Sequence, residues 1–95
     1  MELLSIPVEM ISKEELGSLT YHEKLQVAQQ KDLHVKLEEA LKLGNAFQTK
    51  VGIVFQCDQG IKRVDTTVWS KGEQFVSLKG GMWIPINHII QISSL

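Results

Sequence analysis

The sequence predicts an α+β fold in a single domain, 1–95. A helix, or two collinear helices, covers about 20–43, and a five-stranded antiparallel β-barrel occupies about 47–92. Two observations carry this. From Thr49 to Ile92 apolar and polar residues alternate, as in Val51, Ile53, Phe55 and Cys57 and again in Val64, Thr66 and Val68. A period of two buries one face of a sheet and wets the other, the mark of antiparallel strands. From Tyr21 to Leu43 there is neither Pro nor Gly, and Leu25, Ala28, Leu33, Leu37, Ala40 and Leu41 recur near three-and-four spacing. That is a helical stripe, with Glu23, Gln30, Lys31, Lys36, Glu38 and Glu39 on the opposite side.

Taken in order, Leu3 to Met10 is an apolar lead, broken by Pro7, that reads as a tail packing against the rest. Ser12-Lys13-Glu14-Glu15 has the form of a capping box, and Gly17 limits the helix it opens to a turn or two. Thr20-Tyr21-His22-Glu23 is a second such box and opens the long helix. Asp32 is placed to restart that helix after a bend near Lys31. Gly44-Asn45 supplies the left-handed stop, dividing a helical part (1–45) from the barrel (46–95). The strands are then about 47–57, 61–69, 74–79, 82–86 and 89–92. Asp58-Gln59-Gly60 and Gly80-Gly81 are hairpin turns, and Pro85 assigns its strand to an edge or a bulge.

Composition sets the compartment and narrows the chemistry. A chain of 95 residues with 22% charged side chains and 43% hydrophobic ones is ordinary for a soluble globular protein. Cys57 is the only cysteine, so no internal disulfide forms, and a reducing, cytoplasmic setting is expected. No run approaches the roughly 18 apolar residues of a membrane span, and no secretory signal is expected at the start of the chain. Net charge is −3 over residues 1–45 and +2 over residues 46–95, a weakly basic barrel that lacks the dense Lys/Arg footprint typical of phosphate binding.

Candidate chemistry is sparse. A nucleophilic Cys57 needs a base from His22, His34 or His88, but its place in the apolar alternation favours a buried, inert thiol. Cys57 and the three histidines lack paired zinc-ligand spacing. Glu14-Glu15 and Glu38-Glu39 are adjacent pairs that diverge on a helix surface. Asp65, Thr66 and Thr67 read as the wet face of the second strand. Gly80-Gly81 is followed by no Lys-Ser/Thr and is not a phosphate loop. No catalytic residue, metal ligand or cofactor site is expected. Lys62, Arg63, Trp69, Lys71, Lys79 and Trp83 form the candidate partner-binding set, because cations beside aromatic rings stack bases or grip peptides. The competing reading has Trp69 and Trp83 closing the barrel ends or packing on the long helix.

Two resemblances rest on particular residues. Leu43-Gly44-Asn45, Lys50-Val51, Val64-Asp65-Thr66-Thr67-Val68-Trp69, Leu78-Lys79-Gly80-Gly81 and Ile84-Pro85-Ile86-Asn87-His88-Ile89 resemble a family of short, uncharacterised bacterial proteins. That family brings no activity to transfer. Asp58-Gln59-Gly60, a polar second strand and Ile84-Pro85-Ile86 ahead of Ile89 and Ile92 look like the Sm-like barrels, among them the Rof type. This second resemblance implies an SH3/Sm-like barrel with an N-terminal helix that binds RNA or protein. The chain departs from it where no glycine follows Arg63 and where the Asn-containing RNA pocket is absent.

The expected function is therefore that of a small non-enzymatic binding module, a protein-interaction or regulatory unit with a protein partner. Self-association through the long helix is a further expectation. Nucleic-acid binding is the alternative.

Overall fold

The computed structural model describes residues 7–95. In chain order it contains strand β1 (Glu9–Met10), a 3-10 helix (Lys13–Ser18), helix α1 (Leu33–Phe47) and strands β2 (Val51–Cys57) and β3 (Gly60–Thr66). Strands β4 (Val68–Lys71), β5 (Phe75–Leu78) and β6 (Trp83–Pro85), a 3-10 turn (Ile86–His88) and β7 (Ile89–Ser94) complete it. The α+β class holds. The lead ahead of Pro7 lies outside the described residues.

The closed five-stranded barrel does not form. Four strands make one sheet in the order β1-β3-β2-β7, and three make a second in the order β4-β5-β6. The break comes inside the expected second strand, at Thr67. Thr66, Thr67 and Val68 are buried in succession, so the alternation that keeps a strand in one sheet is lost there. Thr67 Oγ1 donates to the Gln48 carbonyl at 3.3 Å, and the Thr67 carbonyl accepts the Lys79 amide at 3.0 Å. The threonines are thus the crossing point between sheets, not a wet face. Closure at the other side is blocked because α1 packs between β4 and β7. Gln30 also occupies the outer edge of β7, accepting the Ile92 amide on its side chain and donating its own amide to the Ile90 carbonyl.

The helix is also corrected: it starts at Leu33, runs through Gly44 and Asn45, and ends at Phe47. Residues 20–30 are irregular because side chains of the first sheet capture their backbone. Asp58 accepts the amides of His22 (2.7 Å) and Glu23 (2.8 Å), and Gln56 accepts the Gln26 amide while donating to the Lys24 carbonyl. Gln29 Nε2 donates to the carbonyls of Ile86 and Ile89. Helix propensity is a weak prior, and these long-range bonds override it. Gly44 serves packing instead of capping: its bare Cα sits under the Val68 carbonyl, where a Cβ would overlap the oxygen. The left-handed cap is Gln48, at φ 55°, whose amide reaches back to the Gly44 carbonyl at 2.9 Å.

Other local expectations are met. Glu15 accepts the Ser12 amide at 3.0 Å, as a capping box requires, and the helix it opens is six residues long. Gly60, Gly80 and Gly81 take positive φ in the two hairpins, and Pro85 lies on the edge strand β6. The described part of the lead is more than a packed tail: Glu9–Met10 adds to β3 as a parallel edge strand. The core joins Leu33, Leu37 and Ala40 of α1 to Ile53, Phe55, Val64, Val68, Val76, Ile84 and Ile89. No helix among the described residues is long and apolar enough to cross a membrane.

Candidate binding face on the three-stranded sheet

The second sheet has one face against the core and one face open. Val68, Val76, Leu78 and Ile84 point inward and are buried, so by the strand alternation their neighbours point out. On β5 these are Phe75 and Ser77, with Lys79 continuing the row into the hairpin. Ser77 is flanked in register by Ser70 on β4 and Trp83 on β6, and Phe75 by Pro85. A register shift between Val68 and Ser70 turns Trp69 outward beside Ser70. Trp69, Phe75 and Trp83 remain 50%, 42% and 51% exposed, a concentration of ring surface that a solitary fold normally hides. The Phe75 and Trp83 rings meet edge to face at 4.6 Å, a favoured aromatic geometry that forms a ridge next to the two serines.

The expectation that both tryptophans close barrel ends or pack on the helix is therefore corrected. With the second sheet only three strands wide and its inner face already filled by aliphatic side chains, the rings have nowhere inside to go.

The six residues singled out from the sequence are only partly assembled. Trp69 and Trp83 share the outer face, and Lys79 stands at its end, with its ammonium reaching round to Gln48 at the cap of α1. Lys71, on β4, turns toward the helix, with its ammonium 3.7 Å from Glu38. Lys62 and Arg63 belong to the other sheet. Lys62 is almost buried and pairs with Glu9 of β1; that hydrogen bond raises its pKa further. Arg63 Nε donates to Asp65 at 3.0 Å, and its guanidinium covers Gly52, where a Cβ would come within 2.8 Å of Cζ. Lys79 differs from these three: it has no carboxylate within ion-pair distance among the described residues and reaches the neutral Gln48 amide at 3.5 Å. Phe75, Ser70 and Ser77 were missed, although the alternation of Phe75, Ser77 and Lys79 against Val76 and Leu78 was there to be seen.

Cys57 is buried as expected, and the histidines are dispersed: His22 on Asp58, His34 exposed on α1, and His88 on the Glu23 carbonyl at 2.9 Å. Among the described residues no three of His, Cys, Asp and Glu converge as metal ligands. Protein-family models, curated proteins and solved structures gave no match to this chain.

Proposed function

We propose that this protein is a non-enzymatic binding module that engages a protein partner through the outer face of β4, β5 and β6. The observation that carries the reading is the set of three half-exposed rings, Trp69, Phe75 and Trp83, on one open sheet face. Contiguous exposed apolar surface marks interaction sites, and tryptophan is enriched among the residues that dominate interface energetics. The face bears one cation, Lys79, at its end, which matches the depletion of charge at the centre of protein interfaces. The same distribution weighs against nucleic acid as the ligand. Lys62, Arg63 and Lys71 each sit on a carboxylate, and phosphate binding draws its affinity from cations free to neutralise it.

The test is a photoreactive amino acid placed at Ser77, compared with one at the exposed helix residue Lys42, in living cells. A discrete protein adduct is expected from position 77 alone, and Trp83→Ala should abolish it. No adduct from position 77, equal labelling from both positions, or an adduct to nucleic acid would defeat the reading.

A further inference from the structure

We infer that the protein partner is a second copy of this chain, packed face to face through β4, β5 and β6 about a two-fold axis. This rests on the outer face being the working surface, as proposed above. The strand register itself supplies the argument. Lys71, Val76 and Ile84 form one cross-strand row, and Val76 and Ile84 point into the core. An axis lying along that row, perpendicular to the strands, reverses strand direction and places β5 against β5 and β6 against β6. Residues one step before the row then face residues one step after it.

Each large side chain meets a small or flat one under this operation. Phe75, one residue before Val76, faces the partner copy's Ser77, one residue after it. Trp83 is level with Ser77 and Pro85 is level with Phe75, so the Trp83 ring faces the other copy's proline. Trp69 faces the other copy near Gly72, which lies beside Phe75 because its amide donates a 2.9 Å hydrogen bond to the Phe75 carbonyl. The charges at the two ends of β5 also match. Glu73 precedes the strand and Lys79 follows it, both are exposed, and neither has an ion-pair partner among the described residues. The axis brings Glu73 of each copy over Lys79 of the other. An axis along the strands would instead set Lys79 against Lys79. Isologous contacts require such i-to-j and j-to-i matching, and this face supplies it at every large residue.

The face is three strands wide and extends from 73 to 79, roughly 14 by 23 Å at ordinary strand spacing and rise. That is well under the ~800 Å² per partner of a standard interface, so the dimer is weak and concentration-dependent.

Sedimentation equilibrium from about 1 µM to 1 mM spans the range of weak association. A mass rising from 10.7 kDa toward twice that value is expected. Trp83→Ala should weaken association by more than about 30-fold, as loss of a central tryptophan does. Glu73→Lys and Lys79→Glu should each weaken it at least about fivefold, and the double reversal should restore it, since it re-forms both pairs in swapped order. All these positions are exposed, and circular dichroism of each variant is the check that it folds. A strict monomer at 1 mM overturns the inference, as does a dimer indifferent to Trp83→Ala or a double reversal weaker than either single one. A monomer that still gives the Ser77 adduct to another protein ends this inference alone; a monomer with no adduct ends the docking reading as well.

Discussion

Replacing Gly44 with alanine tests the contact that sets the position of the second sheet. In an isolated helix the change would stabilise by about 1 kcal/mol, because alanine is the better helix former. Here the added Cβ would overlap the Val68 carbonyl oxygen and lie 3.0 Å from the Thr67 methyl and 3.3 Å from the Val68 carbonyl carbon. Two of those three atoms are backbone, and β4 is fixed by its ladder to β5, so α1 and β4 must separate. Overpacking a tight site costs about 1–3 kcal/mol, occasionally more, and with rigid backbone opposite the upper end applies. Subtracting the propensity gain leaves a net loss of about 2 kcal/mol. For a domain of this size that lowers Tm by roughly 10 °C. Gly17→Ala is the control: its Cβ would meet only Met82 Sδ and Cε, at 3.7 and 3.8 Å, and Tm should rise by a few degrees. Thermal unfolding followed by circular dichroism reads both. A Gly44→Ala variant as stable as the parent would refute the close approach of helix and strand.

Three further outcomes are expected from the links that replaced the anticipated helix and barrel. The hydroxyl of Thr20 and the amides of Glu23 and His22, with the His22 ring, hold the Asp58 carboxyl well below its usual range. A depressed folded pKa adds stability above about pH 4 that is lost as pH falls, so Asp58→Asn should lower Tm at neutral pH and flatten its decline below pH 4; equal acid profiles would refute this. Tyr21 is the only tyrosine, and burial, helped by Cys57, pushes its pKa up to about 12. Its absorbance titration should run near 12 and Tm should fall as pH rises from 10 toward 12; a midpoint near 10 would place the ring in water. Glu9→Gln removes the carboxylate from the nearly buried Lys62, so protection of the Ile11 amide, which donates to the Arg63 carbonyl at 2.9 Å, should drop by roughly fivefold on about 1 kcal/mol of loosening. Unchanged exchange would show that β1 docks by its backbone alone.

Local signals in the sequence are legible where local physics decides. Alternation located most strand residues, glycines marked both hairpins, and Ser12 with Glu15 marked the short helix. Distant partners decided the rest. Nothing near Thr20 announces that Asp58, 38 residues on, will take its hydroxyl at 2.6 Å and dissolve a plausible capping box. Gly44 looks like a stop because glycine commonly ends helices, and only the opposing β4 backbone shows that its missing side chain serves a contact. The split at Thr67 is hidden because threonine suits a wet strand face as well as a buried crossing. Of the candidate site, Trp69, Lys79 and Trp83 are legible as aromatic and basic residues near the same hairpins. Lys62, Arg63 and Lys71 are not separable from them, since ion pairing to Glu9, Asp65 and Glu38 depends on the fold.

The division into two sheets explains why one face is left open. Every residue of β2 is buried, because the first sheet is covered on both sides: the core packs on one, and Arg63 over Gly52 and residues 24–26 over Gln56 cover the other. The second sheet has α1 and the core on its inner side; on the outer one no helix or strand among the described residues packs closely, and Leu16, Gly17 and Leu19 come near only at Trp83. Its inward positions, Val68, Val76, Leu78 and Ile84, are nearly or fully shielded without help from the rings outside. Threonine at 75 or 83 would satisfy the same pleat and the same ladder, since strand preference reflects fit to a half-buried surface. The core of the monomer therefore does not call for Phe75 or Trp83. Large rings placed where the fold does not need them, beside serines small enough to admit another ring, are what the proposed docking on this face would account for.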